Sequence, residues 1–449
     1  MTPGIRTAPL RIGCGAGFAG DRLGPAVDLV REGRLDYLIL ECLGERTIAL
    51  GQLRRTRDPR AGYDALLERR ARALLPEIVA TGTRLVTNFG SANPVAAGHR
   101  LVEIADELGI SGAVSVAVVT GDDVFAQLDV SAPAWEDGVA LDQHGELVSA
   151  HAYIGADALL PALESGANVI VAGRVADPSL CLAPLVHEFG WQLDDWDALA
   201  RGTLVGHLME CAGQLTGGYY ADLPLKPVPG LDNLGYPIAA VTATGEATLT
   251  KLTGTGGVVD RHTAIEQLLY EVTDPRAYLT PDVTLDFTDI EIDEVGPDAV
   301  QVRGAAGRPR PDSLKVSVGY RAGFRSEGEI SYAGRGAVGR ARLAGDLVRS
   351  WIGDEVEEFR VDLVGVSSIH GEELARRYQP YECRLRVAAI ANSAELAEVV
   401  ADAVTALYTN GPAGGGGLRT RTDEVIGVLS TTIPRADVEL DFMELGGAA

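Results

Sequence analysis

Along the first half of the chain, short apolar runs alternate with stretches in which apolar residues recur every three or four positions. The short runs predict strands over 10–14, 37–41, 84–87, 114–119 and 168–172; the periodic stretches predict helices over 25–31, 66–80, 94–108 and 157–164. Pro94 is placed to open one of these helices. Strands separated by helices in this way predict an α/β fold with a mostly parallel sheet flanked by helices. From 224 to 311 the pattern loosens into short β-like pieces, at 249–252, 283–287 and 299–302, around turns such as Asp232-Asn233-Leu234-Gly235. In the last third, paired strands are expected at 313–320 and 327–332. A helix at 339–352, strands at 360–366 and 383–389, a helix at 394–408 and a strand at 424–433 follow. That order suggests a two-layer α+β sandwich of ferredoxin-like character. The expected organisation is an α/β catalytic domain over 1–223, a β-rich connecting region over 224–311 and an α+β sandwich domain over 312–449.

Composition narrows the function classes. The 449 residues are 46% hydrophobic and 23% charged, enough to bury a full core. Acidic residues number 63 against 39 lysines and arginines, a formal charge of −24, so nucleic acid is not an expected partner. No run approaches the ~18 apolar residues of a membrane span, and the start has no signal-peptide core, so a cytoplasmic location is expected. Five cysteines, an odd count without CxxC spacing, are read as reduced thiols rather than as a disulfide framework or zinc knuckle.

The chemistry concentrates in polar, glycine-bearing runs at or near strand ends, where α/β folds place ligands. His207, Glu210 and Cys211 fall at i, i+3 and i+4 on one helical face. The histidine and the carboxylate could share a proton, hold a divalent metal with His151 as a distant ligand, or form a structural pair; no metal set or cofactor is assigned. A Glu210 near Leu208, Met209 and Leu215 has a raised pKa and suits proton abstraction beside a carbonyl. Cys211, beside both, is the candidate nucleophile of a thiolate route. Arg174 could clamp a substrate carboxylate, with Asp177 orienting it or capping the helix opened by Pro178. Asn88 at a strand end is an oxyanion-donor candidate, and Asn93 either joins it or caps the helix at Pro94. Asp21 and Glu41 are site acids or caps, and Gln214 completes the substrate-binding set. The glycine-rich turn holding Gly15 and Gly17, and the Gly414 to Gly417 run with Gly415 and Gly416, are candidate anion or phosphate loops, or close-packing and solvent loops.

These runs include Thr87-Asn88-Phe89-Gly90-Ser91-Ala92-Asn93-Pro94, Gly173-Arg174-Val175-Ala176-Asp177-Pro178 and Gly206-His207-Leu208-Met209-Glu210-Cys211. Taken with Gly13-Cys14-Gly15-Ala16-Gly17-Phe18-Ala19-Gly20-Asp21, Glu41-Cys42-Leu43-Gly44-Glu45-Arg46-Thr47, Gly254-Thr255-Gly256-Gly257 and Tyr408-Thr409-Asn410-Gly411-Pro412, they resemble the acyclic terpene utilisation family over nearly the whole chain. The resemblance implies catabolism of branched carboxylic acids or CoA thioesters. It suits a soluble homo-oligomeric lyase, a hydratase, dehydratase or carbon–carbon lyase, with Glu210 as base, His207 as its partner, Arg174 as clamp and Asn88 as oxyanion donor. A thioester or amide hydrolase using Cys211 or activated water is the second reading. The third is a noncatalytic subunit: family members often carry a small companion domain, none is read after Pro434, and a separate small companion protein could dock instead.

Overall fold

The computed structural model describes residues 6, 8–353, 356, 358–371, 373 and 380–446. The chain divides into two compact units, one formed by Met1–Ala140, Val148–Gly319 and Val428–Ala449, the other by Leu141–Leu147 and Tyr320–Gly427.

The first unit is built on a ten-stranded sheet. Its middle is parallel: Leu10–Ala16, Tyr37–Leu40, Arg84–Thr87, Val169–Val171 and Val116–Thr120 lie side by side in that order. Tyr37–Leu40 and Val169–Val171 are buried at every position, as strands covered on both faces must be. Outside this core the pairing reverses. Pro237–Val241 joins Leu10–Ala16 antiparallel, Ala247–Lys251, Ala299–Arg303 and Glu291–Gly296 extend that edge, and Asp441–Leu445 closes the other edge against Val116–Thr120.

The sheet is therefore mixed, where the sequence pattern predicts a mostly parallel one. Two of the added pairs are hairpins: Val241 and Ala247, and likewise Gly296 and Ala299, are joined by tight turns, which permit only antiparallel neighbours. The stretch read as a connecting region thus supplies four strands of the sheet. A small three-stranded sheet of Ala306–Arg308, Thr284–Asp286 and Tyr278–Leu279 packs beside the helix Trp196–Met209, with Gly307 against the Trp196 carbonyl where a Cβ would not fit.

The helices have local reasons to start where they do. Asn93 caps Pro94–Glu107 by accepting from the Ala96 N–H, with Pro94 in the first turn, and Asp195 accepts from the Ala198 N–H at the head of Trp196–Met209. Among the described residues no helix is long and apolar enough to cross a membrane.

In the second unit the sheet order is Glu358–Val364, Glu382–Ala391, Ser313–Ala333, Gly416–Pro434. The helices Ala337–Ile352 and Ala394–Asn410 bury Ala341, Ala344, Val348, Val400 and Val404 against Ile330, Leu385 and Val387. The two strands expected at 313–320 and 327–332 are one strand, Ser313–Ala333. Gly323 takes φ +95°, a Cβ there would meet the Ala391 carbonyl, and Phe324 to Ala333 stay in register with Ala391 to Glu382. The last two glycines of the Gly414 to Gly417 run enter the strand Gly416–Pro434.

Candidate active site

Because the five central strands are parallel, their carboxyl ends and the loops that follow lie on one side of the sheet. Glu41 follows Leu40, Asn88 follows Thr87, Gly173-Arg174 follows Val171, Asp122 follows Thr120, and the glycine-rich turn with Asp21 follows Ala16. Asn88 is fully buried and both ends of its amide are engaged. Its Oδ1 accepts from the Cys42 N–H at 2.8 Å and its Nδ2 donates to Glu41 Oε1 at 3.0 Å, which also accepts from the Leu43 N–H at 2.7 Å. Burial, with Asp177 nearby, pushes Glu41 well above the usual carboxylate range despite Arg174 and these donors.

Arg174 is 1% exposed. Its guanidinium donates to the Leu43 carbonyl, to Val175 O at 3.1 and 2.6 Å, and to Asp177, and lies 4.4 Å over the Tyr153 ring. Four of its five N–H groups are thus committed within the chain, so it anchors Asp177 and cannot form an open two-pronged clamp. Tyr153 donates to Glu45 Oε1 at 2.6 Å. Burial pushes Glu45 up, but the Tyr153 hydroxyl, a backbone N–H and Lys315 outweigh it and hold the acid at about 2. Asp177 has 35% of its side chain exposed and Glu45 42%, so both acids of this group reach solvent, and burial raises Asp177.

The helix Trp196–Met209 brings the second half of the group. Gly206 packs on the Pro178 carbonyl, and Gly17 packs on the backbone of Glu210 and Cys211; at both, a Cβ would collide with main chain. His207 Nε2 lies 3.1 Å from the Leu268 carbonyl and Nδ1 lies 3.0 Å from Glu210 Oε1. A carbonyl only accepts, so Nε2 carries a proton. The contact between Nδ1 and Oε1 then needs one more proton, on the imidazole or on the acid. Consistent with this, Glu210 is raised to about 7 by burial, partly offset by His207, and His207 is raised by Glu210 against its own burial. Glu210 Oε2 is buried and has no hydrogen-bond partner within the protein.

The family model described as acyclic terpene utilisation family protein AtuA matches residues 10–443. The chain belongs to this family. Membership implies a part in terpene catabolism. No curated protein and no solved structure matches the chain.

Against this family background the remaining candidates separate. The proximity of Glu41, Asp177, Glu210 and Cys211 registers in their mutual charge effects, so the structure brings these residues together with Arg174, His207 and Asn88. Asn93 is a cap and a tie: besides Ala96 it holds the Pro59 and Ala61 carbonyls at 2.8 and 2.7 Å. Asp21 accepts from the Gly17 N–H at 2.8 Å, so a carboxylate of the chain itself occupies that turn of the proposed phosphate loop. Burial, opposed by Gly17, Phe18 and Arg70, raises Asp21. Gly15 is glycine for packing, its absent Cβ pointing at Ala26 and Leu40. Gln214 closes the turn after the helix, its N–H on the Cys211 carbonyl at 3.1 Å. Gly415 and Gly416 belong to the second unit. Burial and Glu210 push the Cys211 thiol up. Among the described residues no group of three or more His, Cys, Asp and Glu is placed to hold a metal ion.

Sequence reading missed Asp122 and His151 as a pair. Asp122 Oδ2 lies 3.0 Å from His151 Nδ1 and accepts from the Arg174 N–H at 2.8 Å, in space left by the absent Cβ of Gly173. The two are joined by a strand pairing, Asp123 with His151, that no local spacing encodes.

Proposed function

We propose that the chain is an acid–base enzyme of the lyase type, acting beside the carbonyl of a branched acyl-CoA or carboxylic acid. It would hydrate or dehydrate a double bond or cleave a carbon–carbon bond. The observation that carries this reading is Glu210: one oxygen faces His207, the other is buried without a protein partner, and burial holds its proton near neutral pH. An acid so poised can take a proton from the carbon next to a carbonyl and return it in the reverse direction. The substrate class is drawn from the family's part in terpene catabolism. Asn88 fixes Glu41, and Arg174 is the cation that lets Glu41 and Asp177 lie close to the reacting acid.

The thiol route through Cys211 has less support, because both nitrogens of His207 are committed elsewhere and the thiol is pushed away from ionisation. For the second unit we infer a ferredoxin-like topology, which its strand–helix–strand–strand–helix–strand order and its sheet order support.

The test is deuterium incorporation at the α carbon of branched acyl-CoA thioesters and acids incubated with the protein in D2O, read by mass spectrometry. Incorporation that falls ~100-fold or more in Glu210→Gln and survives in Cys211→Ala is expected. Undiminished incorporation in Glu210→Gln removes Glu210 from the chemistry. No incorporation and no product from any member of the panel would favour a noncatalytic subunit.

A further inference from the structure

The small sheet beside the helix Trp196–Met209 brings two aromatic rings to His207. Gly307 seats that sheet on the Trp196 carbonyl, and Tyr278 pairs with Leu285 across its ladder. The Phe287 N–H, just beyond the strand Thr284–Asp286, donates to the Pro275 carbonyl at 2.7 Å. The Tyr278 and Phe287 rings lie 5.3 and 5.5 Å from the His207 ring, and 5.3 Å from each other, centroid to centroid. Tilted and edge contacts at this range fix the rings in place. Phe287 is buried and Tyr278 is half-buried. Packing on His207 asks only for a ring, as Phe287 shows, so the Tyr278 hydroxyl needs a reason of its own. Among the described residues it makes no hydrogen bond.

The surroundings of that hydroxyl say what it can do. His207, against which the ring packs, holds Glu210 Oε1 at 3.0 Å, and the other oxygen of Glu210 is likewise without a partner. Of the charges that act on the phenol, Glu210 comes first, followed by Asp177, Glu271 and Cys211; with burial they push it well above its usual range, so it keeps its proton and serves as a donor. The chemistry proposed for Glu210 calls for such a donor. Removing a proton beside a carbonyl moves the C–H electron pair into a carbon–carbon double bond and leaves negative charge on the carbonyl oxygen. Asn88, the donor expected from the sequence, has both ends of its amide bonded to Cys42 and Glu41, and Arg174 is held by Leu43, Val175 and Asp177. We propose that Tyr278 is a further catalytic residue, whose O–H donates to the carbonyl oxygen of a branched acyl thioester while Glu210 works at the carbon next to it. The inference rests on the reading of Glu210 as the acid–base group. The tyrosine keeps its proton throughout; the carbon's proton passes to Glu210 and returns from it.

The test uses the full chain and two probes. Pivaloyl-CoA, labelled with 13C at its carbonyl, has no hydrogen on the carbon beside that carbonyl and so reports binding without turnover; isovaleryl-CoA in D2O reports exchange. In the wild type the infrared band of the labelled carbonyl is expected at lower frequency when bound than when free. Tyr278→Phe should lose most of that shift and slow exchange about 100-fold, while Glu210→Gln keeps the shift. A bound band at the wild-type position in Tyr278→Phe, or no bound band in the wild type, overturns the proposal. A Tyr278-dependent shift with exchange undiminished in Glu210→Gln supports the tyrosine's contact and sinks the role given to Glu210, so the two failures are told apart. Because the hydroxyl bonds to nothing in the free chain, Tyr278→Phe should melt where the wild type does; a markedly lower Tm would make the hydroxyl structural and overturn the proposal as well.

Discussion

Among the described residues of the first unit, two imidazole–carboxylate pairs have the same length, 3.0 Å each, and are arranged in opposite senses. In His207–Glu210 both ring nitrogens are engaged and the carboxylate keeps a free buried oxygen. In His151–Asp122 the carboxylate oxygen facing the ring also receives a backbone N–H, and the imidazole keeps a free nitrogen. The open position thus lies on the carboxylate in one pair and on the imidazole in the other. The type of pair does not decide the role; the partner that is left unsatisfied does.

The comparison can be broken hardest at Glu210. Glu210→Gln keeps a hydrogen-bonding group for His207 and should cost two to four orders of magnitude in α-proton exchange, while leaving the NMR resonances of His151 where they are. Gly173→Ala attacks the other pair: a Cβ there collides with the Asp122 carboxylate, so we expect a stability loss of ~1–3 kcal/mol in chemical denaturation and a displaced His151 signal. Asn88→Ala removes the two bonds that hold Cys42 and Glu41, a loss of ~1–3 kcal/mol, and should reduce turnover without moving His151.

A pH series sharpens the contrast. Glu210 rises from 4.5 to about 7 on folding, so between those values the folded chain binds more protons than the unfolded one, and its stability falls as pH rises through that window. His207, raised above 6.5, acts in the same direction: its contribution is present below 6.5 and lost as pH passes its folded value. Tm measured from pH 4.5 to 8 should therefore decline less steeply in Glu210→Gln than in the wild type; parallel curves would falsify the assignment. The smallest expected effect is Asp195→Ala, ~1 kcal/mol, which loosens the head of the helix carrying His207 and leaves Asp122–His151 untouched.

How far the sequence speaks for itself follows the same division. His207 and Glu210 could be read as a pair because a helix places i and i+3 together, and the central strands could be read because a strand buried on both faces is a short unbroken apolar run. Asp122 and His151 could not, since their meeting depends on the pairing of residues 123 and 151 and on Gly173 leaving room. The mixed sheet was hidden for a similar reason: 237–303 contains strand signals but nothing local that says which edge they join. The strand Ser313–Ala333 was split in two, because Arg321 to Ser326, with its glycine and two arginines, breaks the apolar alternation. Arg174 and Asn88 were rightly seen at strand ends, but how much of their hydrogen-bonding capacity the chain itself consumes is a tertiary fact.

That consumption has a consequence for what may enter. Glu41 and Asp177 crowd around a single guanidinium whose N–H groups are nearly all taken, and Glu210 feels Asp177 as well. A molecule arriving as an anion brings further negative charge to a place with little left to answer it, whereas a thioester carbonyl brings none. On the function proposed above, the activated acyl group would cross this threshold at the lower electrostatic cost. On the same reading a free acid would enter at lower cost once it has taken up a proton.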